Sequence, residues 1–192
     1  MLEGKRIESL IRFKSEPVSV RTSIRPFYWL LVKFRWALRK ENESDPAPII
    51  KDWRKQTMAR ELEEKNKELV LRAFDTLFNK RDYAAAERFW SPKYIQHSAH
   101  IAPGRVGLFA LIKSIPPTLK YEAGTIVAEG DFVIVHGRFS GFGAPVNWIA
   151  ADIVRIEDGI LVEHWDVIQD EATEEQSKSG APMFGKSFPI YK

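Results

Sequence analysis

The closing segment of this 192-residue chain holds an imidazole and a carboxylate two residues apart. His164 and Asp166 lie among apolar neighbours in the run from Gly159 to Gln169. On a β-strand, residues i and i+2 point to the same face of the sheet, about 7 Å apart. The spacing therefore predicts that both side chains share one face, where an acid and a base together could transfer a proton.

A third polar side chain, Asp152, lies on the strand-like run that precedes this segment. The connection Glu157-Asp158-Gly159 suits a three-residue hairpin loop with glycine in the left-handed position. In that register Asp152 faces His164, and it could hydrogen-bond the imidazole and fix its tautomer. A two-residue loop would instead pair Asp152 with Trp165, and the predicted arrangement would fail.

Proton abstraction is the chemistry that these residues suit. In the predicted register Asp166 faces only the methyl group of Ala150, which leaves space for a ligand. Because a free aspartate is a weak base at neutral pH, burial against Trp148 is needed to raise its pKa. We expect Asp166 to be the base, with His164 as its partner or as donor to an enolate, and Asp152 orienting His164. The alternative is that Asp152 and His164 form a structural pair and Asp166 is a charge at the rim.

Two further histidines, His97 and His100, occur in the segment Gln-His-Ser-Ala-His. Their i, i+3 spacing suits a metal ion only on a helix, and this segment does not have a helical pattern. There is no HExxH motif and no acidic cluster nearby. We therefore expect no metal site, and we assign His97, His100, Trp148 and Tyr94 to substrate binding in a pocket wall.

The composition excludes several other classes of site. The chain has no cysteine, so disulfides, thiolate metal ligands and a cysteine nucleophile are excluded. Gly141-Phe-Gly-Ala is not followed by a helix carrying Lys-Ser/Thr, so it is not a phosphate loop, and no Gly-x-Ser-x-Gly elbow occurs. No run approaches the roughly 18 apolar residues that span a bilayer. We expect a cytoplasmic protein that needs no cofactor.

The positive charge is concentrated at the N-terminus. Residues 1–57 hold 13 Lys/Arg and 7 Asp/Glu, whereas residues 58–192 hold 16 and 19. The pI near 9.0 therefore does not indicate a nucleic-acid-binding domain. Residues 17–40 carry six basic and no acidic residues, and their apolar residues follow helical spacing. One interpretation is a basic amphipathic helix that touches a membrane, and another is a targeting segment, which the acidic residues before position 17 disfavour. We favour a variable extension, or translation upstream of a true start at Met58.

The pattern of periodicity divides the chain into an N-terminal extension (1–57), a globular domain (58–170) and a C-terminal tail (171–192). Helical periodicity covers an apolar stripe from Leu62 to Phe78 and two shorter segments, Tyr83 to Trp90 and Arg105 to Ile115. Residues 93–100 have the pattern of a short extended piece or a loop. Strand periodicity follows in four segments: Leu119 to Ala128, Phe132 to Ser140, Val146 to Ile156 and Ile160 to Gln169. Three helices before an antiparallel meander predict an α+β fold.

The order of these elements, with Tyr94-Ile-Gln-His97 before the third helix and Gly159-Ile-Leu-Val-Glu-His-Trp-Asp166 in the last strand, resembles the SnoaL-like polyketide cyclase family. That family belongs to the nuclear-transport-factor-2-like superfamily. The resemblance covers Glu61 to Phe184, including Ser-Gly-Ala-Pro-Met-Phe184 in the tail. It implies a cone-shaped barrel, in which a strongly curved, mainly antiparallel sheet wraps around three helices and leaves a deep apolar pocket. It also implies a homodimer formed through the outer face of the sheet.

The resemblance implies an activity as well. In the characterised cyclases, a pocket aspartate acts as acid and base in an intramolecular aldol closure without a cofactor. Asp166 resembles that residue by its position in the last strand, and His164 and Asp152 would line the same wall. The chain departs from the family in its 57-residue extension and gives no indication of a polyketide substrate. We expect a lyase or isomerase acting on a small apolar carbonyl compound; the alternative is a non-catalytic small-molecule-binding or interaction protein of the same fold.

Overall fold

Helices form the first half of the domain in the computed structural model, which describes residues 47–189 of the chain. A long helix and a π-helical turn, Asp75–Asn79, come first, and two shorter helices follow. The helices are α1 (Ala47–Phe74), α2 (Tyr83–Ala86) and α3 (Gly104–Ser114). The predicted basic segment, residues 17–40, lies outside the described residues.

The C-terminal part of helix α1 contributes the apolar face that the sequence predicts. Val70, Ala73 and Phe74 are buried there, and the face continues into the π-helical turn. Leu62, which the sequence pattern places in the same stripe, is 45% exposed. Helix α1 also runs without a break through residues 57 and 58. No helix within residues 47–189 combines the length and apolarity needed to cross a bilayer.

Five strands form one mixed sheet with the order β1-β5-β4-β3-β2. Strand β1 pairs parallel to β5, and the other neighbours are antiparallel. The strands are β1 (Trp90–Gln96), β2 (Lys120–Glu129), β3 (Phe132–Ser140), β4 (Trp148–Glu157) and β5 (Ile160–Asp170). The predicted α+β class is therefore confirmed, and the last four strands match their predicted segments to within two residues.

Strand β1 is the strand that the sequence pattern predicts only in part. The sequence pattern predicts a helix that ends at its first residue, Trp90, and a short extended piece or a loop over residues 93–100. Ser91-Pro92 interrupts the apolar pattern, and the pairing with β5 is irregular between Trp90 and Ile95. The strand is held by its parallel partner, which lies about seventy residues later in the chain, so local periodicity carries little signal for it.

The hairpin between β4 and β5 differs from the predicted register. Its loop has two residues, Asp158 and Gly159, and both have positive φ (51° and 73°), as a type I′ turn requires. Pairing passes from Ile156 with Leu161 directly to Arg155 with Glu163, so Val162 is an extra residue, a β-bulge. The predicted three-residue loop is wrong. The bulge nevertheless keeps His164 and Asp166 on the same face of the sheet as Asp152, whereas a two-residue loop without a bulge would have placed them on the opposite face.

The two faces of the sheet have different environments. Val133 and Val135 are fully buried against the helices, whereas Phe132 and Ile134, which alternate with them, are exposed on the outer face. The inner face and the helices enclose a core rich in aromatic rings: Phe74, Phe78, Trp90, Phe109, Tyr121 and Phe139. The core does not fill the space completely, and the remaining space forms the site.

Candidate functional site

A cavity of about 240 Å³ lies between the helices and the inner face of the sheet. Its wall is mainly apolar and includes side chains from α1, the π-helical turn, α3, β3 and β4: Phe74, Phe78, Leu108, Ile112, Phe139 and Trp148. A smaller set of polar residues lies on β1, β4, β5 and the loop after β1: Tyr94, Gln96, Ser98, His100, Asp152, His164 and Asp166. An apolar pocket with a few convergent polar groups is the usual form of a small-molecule site.

The bulge at Val162 determines which side chains enter the cavity. Because of this extra residue, Asp152 opposes Asp166 and Val154 opposes His164. The prediction that Asp152 directly opposes His164 is therefore wrong, and so is the prediction that Asp166 faces Ala150. His164 and Asp166 nevertheless both line the cavity, as their i, i+2 spacing predicts.

A hydrogen-bonded network links β1, β2, β4 and β5 at the buried end of the cavity. His164 Nε2 lies 3.1 Å from Asp152 Oδ1, and His164 Nδ1 lies 2.9 Å from Gln96 Oε1. The Tyr121 hydroxyl donates to Asp152 Oδ2 at 3.4 Å. Asp152 and His164 are only 3% and 5% exposed. The predicted hydrogen bond between these two residues is present, although they are diagonal rather than direct neighbours across the strands.

The network fixes the proton positions on His164. Gln96 Oε1 already accepts a hydrogen bond from the Ser98 backbone N–H at 2.9 Å, so this end of the amide is the oxygen. His164 Nδ1 must then donate to it. The Nε2 of a neutral imidazole in this tautomer is an acceptor, so one further proton lies between Nε2 and Asp152 Oδ1. The His164–Asp152 pair is therefore neutral overall, as imidazolium with carboxylate or as imidazole with carboxylic acid.

Both ring nitrogens of His164 are consequently engaged inside the protein. The expectation that His164 is a donor to an enolate does not fit this geometry, because no N–H of the ring remains for a ligand. His164 instead holds Asp152 and Gln96 in position. Tyr121, on strand β2, also holds Asp152 in position through its hydroxyl group. The Tyr121 ring lies over Gly137 of strand β3, where a Cβ atom would lie 2.4 Å from the Tyr121 hydroxyl oxygen, so only glycine leaves room for the ring.

Asp166 differs from Asp152 although the two are direct neighbours across the strands. It lines the cavity and is half-buried, and it makes no hydrogen bond or ion pair with any residue in the described range. Directly opposed residues have Cβ atoms about 4.5–5.5 Å apart, so two bare carboxylates at these positions would repel each other. The proton that Asp152 shares with His164 removes most of this repulsion, so Asp166 can face the cavity as a carboxylate.

Tyr94 lies on β1 with its side chain in the same cavity, and it is 5% exposed. Burial raises the pKa of its hydroxyl well above the usual value, and the Asp152 and Asp166 carboxylates act in the same direction. The side-chain N–H groups of Trp90 and Gln96 lie beside the hydroxyl and oppose the rise. Trp90 Nε1 and Gln96 Nε2 are both buried, and neither completes a hydrogen bond with a residue in the described range.

The mouth of the cavity carries two of the other residues assigned to substrate binding. The His100 ring lies 5.6 Å from the Trp148 ring, which in turn lies 4.5 Å from the Phe142 ring. His100 is exposed, whereas Trp148 is half-buried and lines the wall. The two side chains are therefore placed where an entering ligand would pass.

His97, which the sequence analysis assigns to substrate binding in a pocket wall, does not line the cavity. Because β1 pairs Gln96 with His164, Gln96 points inward and the next residue, His97, points outward. The His97 ring stacks on Trp165 at 4.7 Å, and its Nε2 lies 2.9 Å from Glu163 Oε1. His97, together with Arg155, holds the pKa of the Glu163 carboxyl below its usual value.

Three residues of the site were not predicted from the sequence: Trp90, Gln96 and Tyr121. Gln96 could have been found, because Tyr94 and Gln96 have the same i, i+2 spacing as His164 and Asp166. Trp90 and Tyr121 gave no comparable signal, since a large aromatic residue in an apolar pattern is usually part of the core. Within residues 47–189, no group of three or more His, Cys, Asp or Glu residues is arranged to hold a metal ion.

Comparisons with known proteins address the fold and the family. Residues 70–164 match the model of the SnoaL-like domain family. A candidate ketosteroid isomerase structure from Kribbella flavida has a TM-score of 0.52 at 13% identity, covering 66% of this chain and 97% of that one. A candidate SnoaL-like polyketide cyclase from Jannaschia sp. has a TM-score of 0.48 at 21% identity, covering 56% of this chain and 88% of that one. A candidate hydroxylase from Streptomyces galilaeus has a TM-score of 0.46 at 26% identity, covering 55% of this chain and 90% of that one.

None of the curated protein sequences matches this chain. Of the three structures above, the Kribbella flavida protein has a TM-score, 0.52, that is high enough to support a common fold. Because its sequence is 13% identical to this chain, the similarity supports the fold alone.

Proposed function

Because the globular part of this chain belongs to the SnoaL-like domain family, we propose that it is a cofactor-independent isomerase or lyase. Its substrate would be a small, largely apolar carbonyl compound, and the reaction would begin with removal of a proton from the carbon next to the carbonyl group. The observation that carries the proposal is the Asp166 carboxylate, which faces an apolar cavity without a protein partner in the described residues and lies beside a neutral buried pair.

The proposed mechanism uses Asp166 as both base and acid. Its carboxylate takes the proton from the carbon, and the electron pair of the broken C–H bond forms the enolate while the carbonyl π pair moves to oxygen. The enolate then either regains the proton from Asp166 at another carbon, which isomerises the substrate, or attacks a second carbonyl carbon of the same molecule. In the second case a ring closes, and the alkoxide formed from the second carbonyl group takes the proton back from Asp166. General acid–base catalysis by a positioned carboxylate supplies roughly 10²–10⁴-fold in rate.

Asp152 and His164 have a supporting role in this mechanism. Their shared proton keeps the second carboxylate from adding charge beside Asp166, and the bonds to Gln96 and Tyr121 hold the pair in place. The pair thus allows one carboxylate to remain charged where two would repel each other.

The proposal can be tested without the natural substrate. 2-Tetralone is a bicyclic ketone with acidic hydrogens next to its carbonyl group, and their exchange in D₂O can be followed by proton NMR. We expect the protein to accelerate this exchange, and Asp166→Asn to lose roughly 10²–10⁴-fold of the acceleration. Asp170→Asn is the matched control, because Asp170 is an exposed aspartate on the same strand. Equal exchange with Asp166→Asn and the wild type would remove Asp166 from the mechanism.

The alternative of a non-catalytic binding protein has less support. A pocket that only holds an apolar ligand needs no buried ionisable residues, and burying them costs free energy. This cavity contains the buried Asp152 and His164, which are joined to each other and to two further strands.

We also propose that a second copy of the chain packs on the outer face of the sheet. Apolar side chains are exposed there, including Phe132, Ile134 and Val167, the last of which is 67% exposed. Covering such a face excludes water from apolar surface, which favours association. Sedimentation should show a wild-type dimer, and Val167→Glu should shift it toward the monomer. A wild-type monomer at micromolar concentration would contradict the proposal.

A further inference from the structure

Strand β1 directs three potential hydrogen-bond donors toward the cavity, and the mechanism above uses none of them. They are the Trp90 indole N–H, the Tyr94 hydroxyl and the Gln96 amide. The Trp90 and Gln96 nitrogens are fully buried and complete no hydrogen bond within the described residues. The Tyr94 hydroxyl likewise donates to no acceptor in that range. Buried donors without partners are rare and costly in folded proteins, so the Trp90 and Gln96 nitrogens beside the Tyr94 hydroxyl need an explanation.

The enolate of the proposed reaction needs such a donor. Removing the proton places negative charge on the carbonyl oxygen, and a donor aimed at that oxygen lowers the barrier more than any other single contact. His164 cannot supply it, because Gln96 and Asp152 occupy both of its nitrogens. His100 lies at the exposed mouth of the cavity, away from the buried end. Tyr94 is close enough to Asp166 and Asp152 for both carboxylates to act on its hydroxyl.

We infer that the Tyr94 hydroxyl binds the carbonyl oxygen of the substrate and stabilises the enolate oxygen that forms there, with the Trp90 and Gln96 N–H groups stabilising the Tyr94 oxygen in turn. The inference rests on the proposed function and assigns the second half of its site. The carbonyl oxygen lies two bonds from the carbon that loses its proton. The donor and the base must therefore flank one small region of the cavity, as Tyr94 and Asp166 do.

The Tyr94 proton stays on tyrosine throughout the reaction. Burial and the two carboxylates keep the pKa of the hydroxyl raised, so the group donates a hydrogen bond without giving up its proton. As negative charge develops on the substrate oxygen, the Tyr94 oxygen becomes more negative. The N–H groups of Trp90 and Gln96 then stabilise the negative charge on the Tyr94 oxygen. The only proton transferred in the first step is the one that passes from carbon to Asp166, so charge and atoms balance.

The arrangement also defines the class of substrate. The Asp166 carboxylate lines the cavity and has no counter-charge among the described residues, so a ligand that is already an anion, such as a carboxylate or a phosphate, is repelled. A neutral ketone or aldehyde is accepted, because its negative charge appears only in the reaction. The apolar wall formed by Phe74, Leu108 and Ile112 suits a hydrocarbon body attached to that one polar group.

Binding of 2-naphthol tests the inference, because this compound resembles the enol of 2-tetralone. Naphthalene is its matched control and lacks only the oxygen. With the full chain, titration followed by ligand fluorescence should show that the wild type binds 2-naphthol at least about tenfold more tightly than naphthalene. Equal affinity of the two compounds would overturn the inference, whatever the variants show.

Substitution of Tyr94 locates the contact. Tyr94→Phe should reduce the preference for 2-naphthol over naphthalene by about tenfold and leave naphthalene binding unchanged. Tyr83→Phe is the control, because this substitution also removes one tyrosine hydroxyl group. Tyr83 packs against Phe109 and does not line the cavity. A full preference retained in Tyr94→Phe would overturn the inference.

Asp166→Asn distinguishes this inference from the proposed function. It should lose 2-tetralone exchange but bind 2-naphthol at least as tightly as the wild type does, because it removes a negative charge beside the oxygen. If Asp166→Asn abolishes exchange while Tyr94→Phe leaves the preference intact, the base is supported and the oxygen subsite is wrong. If the preference depends on Tyr94 while exchange does not depend on Asp166, the subsite stands and the proposed reaction fails.

Discussion

Replacing Asp152 tests the proton arrangement at the buried end of the cavity. Its two carboxylate oxygens bond different partners, His164 Nε2 at 3.1 Å and the Tyr121 hydroxyl at 3.4 Å. Asparagine has the same shape and can satisfy both, since its oxygen can accept from Tyr121 and its N–H can donate to a neutral imidazole. Leucine has a similar size and satisfies neither. The two substitutions therefore separate loss of charge from loss of hydrogen bonds.

The structure sets the expected magnitudes. Asp152 is 3% exposed, so water does not replace a lost partner. Asp152→Leu leaves two buried polar groups unsatisfied at about 1–3 kcal/mol each, and the leucine side chain offsets part of this by burying apolar surface. We expect Asp152→Leu to lower the free energy of unfolding by about 2–5 kcal/mol. We expect Asp152→Asn to lower it by less than about 1 kcal/mol.

Urea denaturation followed by circular dichroism measures both changes, provided that the slope against denaturant stays the same. Asp170→Asn, on the exposed end of strand β5, controls for removal of an aspartate. If Asp152→Asn were as destabilising as Asp152→Leu, the carboxylate of Asp152 itself would be essential, and hydrogen bonding alone would not account for the stability. The prediction that a neutral His164 accepts a hydrogen bond from the asparagine would then be refuted. If Asp152→Leu were as stable as the wild type, the network would contribute nothing to folding.

Two further predictions concern Tyr121. Burial raises the pKa of the Tyr94 and Tyr121 hydroxyls, so above pH 10 these residues ionise in the unfolded chain but keep their protons in the folded one. The unfolded state then binds fewer protons, and the free energy of unfolding should fall as the pH rises, by about 1.4 kcal/mol per pH unit for each tyrosine. Tyr121→Phe should remove one such contribution from urea titrations at pH 9.5–11.5; an unchanged slope would show that Tyr121 ionises in the folded protein. Gly137→Ala places a methyl group 2.4 Å from the Tyr121 hydroxyl oxygen and should destabilise the domain by about 1–3 kcal/mol in the same assay, whereas a neutral effect would mean that the Tyr121 ring is not held over Gly137.

The sequence predicted the elements that depend on local pattern. Alternation in the last strand placed His164 and Asp166 on one face, and the cavity lies on that face. The helical spacing of Val70, Ala73 and Phe74 predicts the buried face of the helix, and Phe74 on that face lines the cavity. In each case the periodicity of a single segment decides which side chains are buried, so no knowledge of distant residues is needed.

The register and strand β1 could not be predicted in the same way. Asp158-Gly159 is a typical two-residue turn, but nothing in the composition marks Val162 as a bulge, and one bulged residue reverses the facing of all the residues after it. His97 was misplaced for a related reason. Its direction follows from the parallel pairing of Gln96 with His164, and that pairing joins segments far apart in the chain. The assignment of the Trp90 and Gln96 donors to the cavity depends on the same long-range contact.

Hydrogen exchange and ligand binding, measured on the same preparation of Asp166→Asn, test the central claim most directly. The claim is that the Asp166 carboxylate removes a proton from a ligand held at the buried end of the cavity. We predict that exchange of 2-tetralone falls roughly 10²–10⁴-fold relative to the wild type, while 2-naphthol still binds at least as tightly. Exchange at the wild-type rate, with 2-naphthol bound normally, would contradict the claim, because the ligand would then occupy the site while Asp166 took no part in the chemistry.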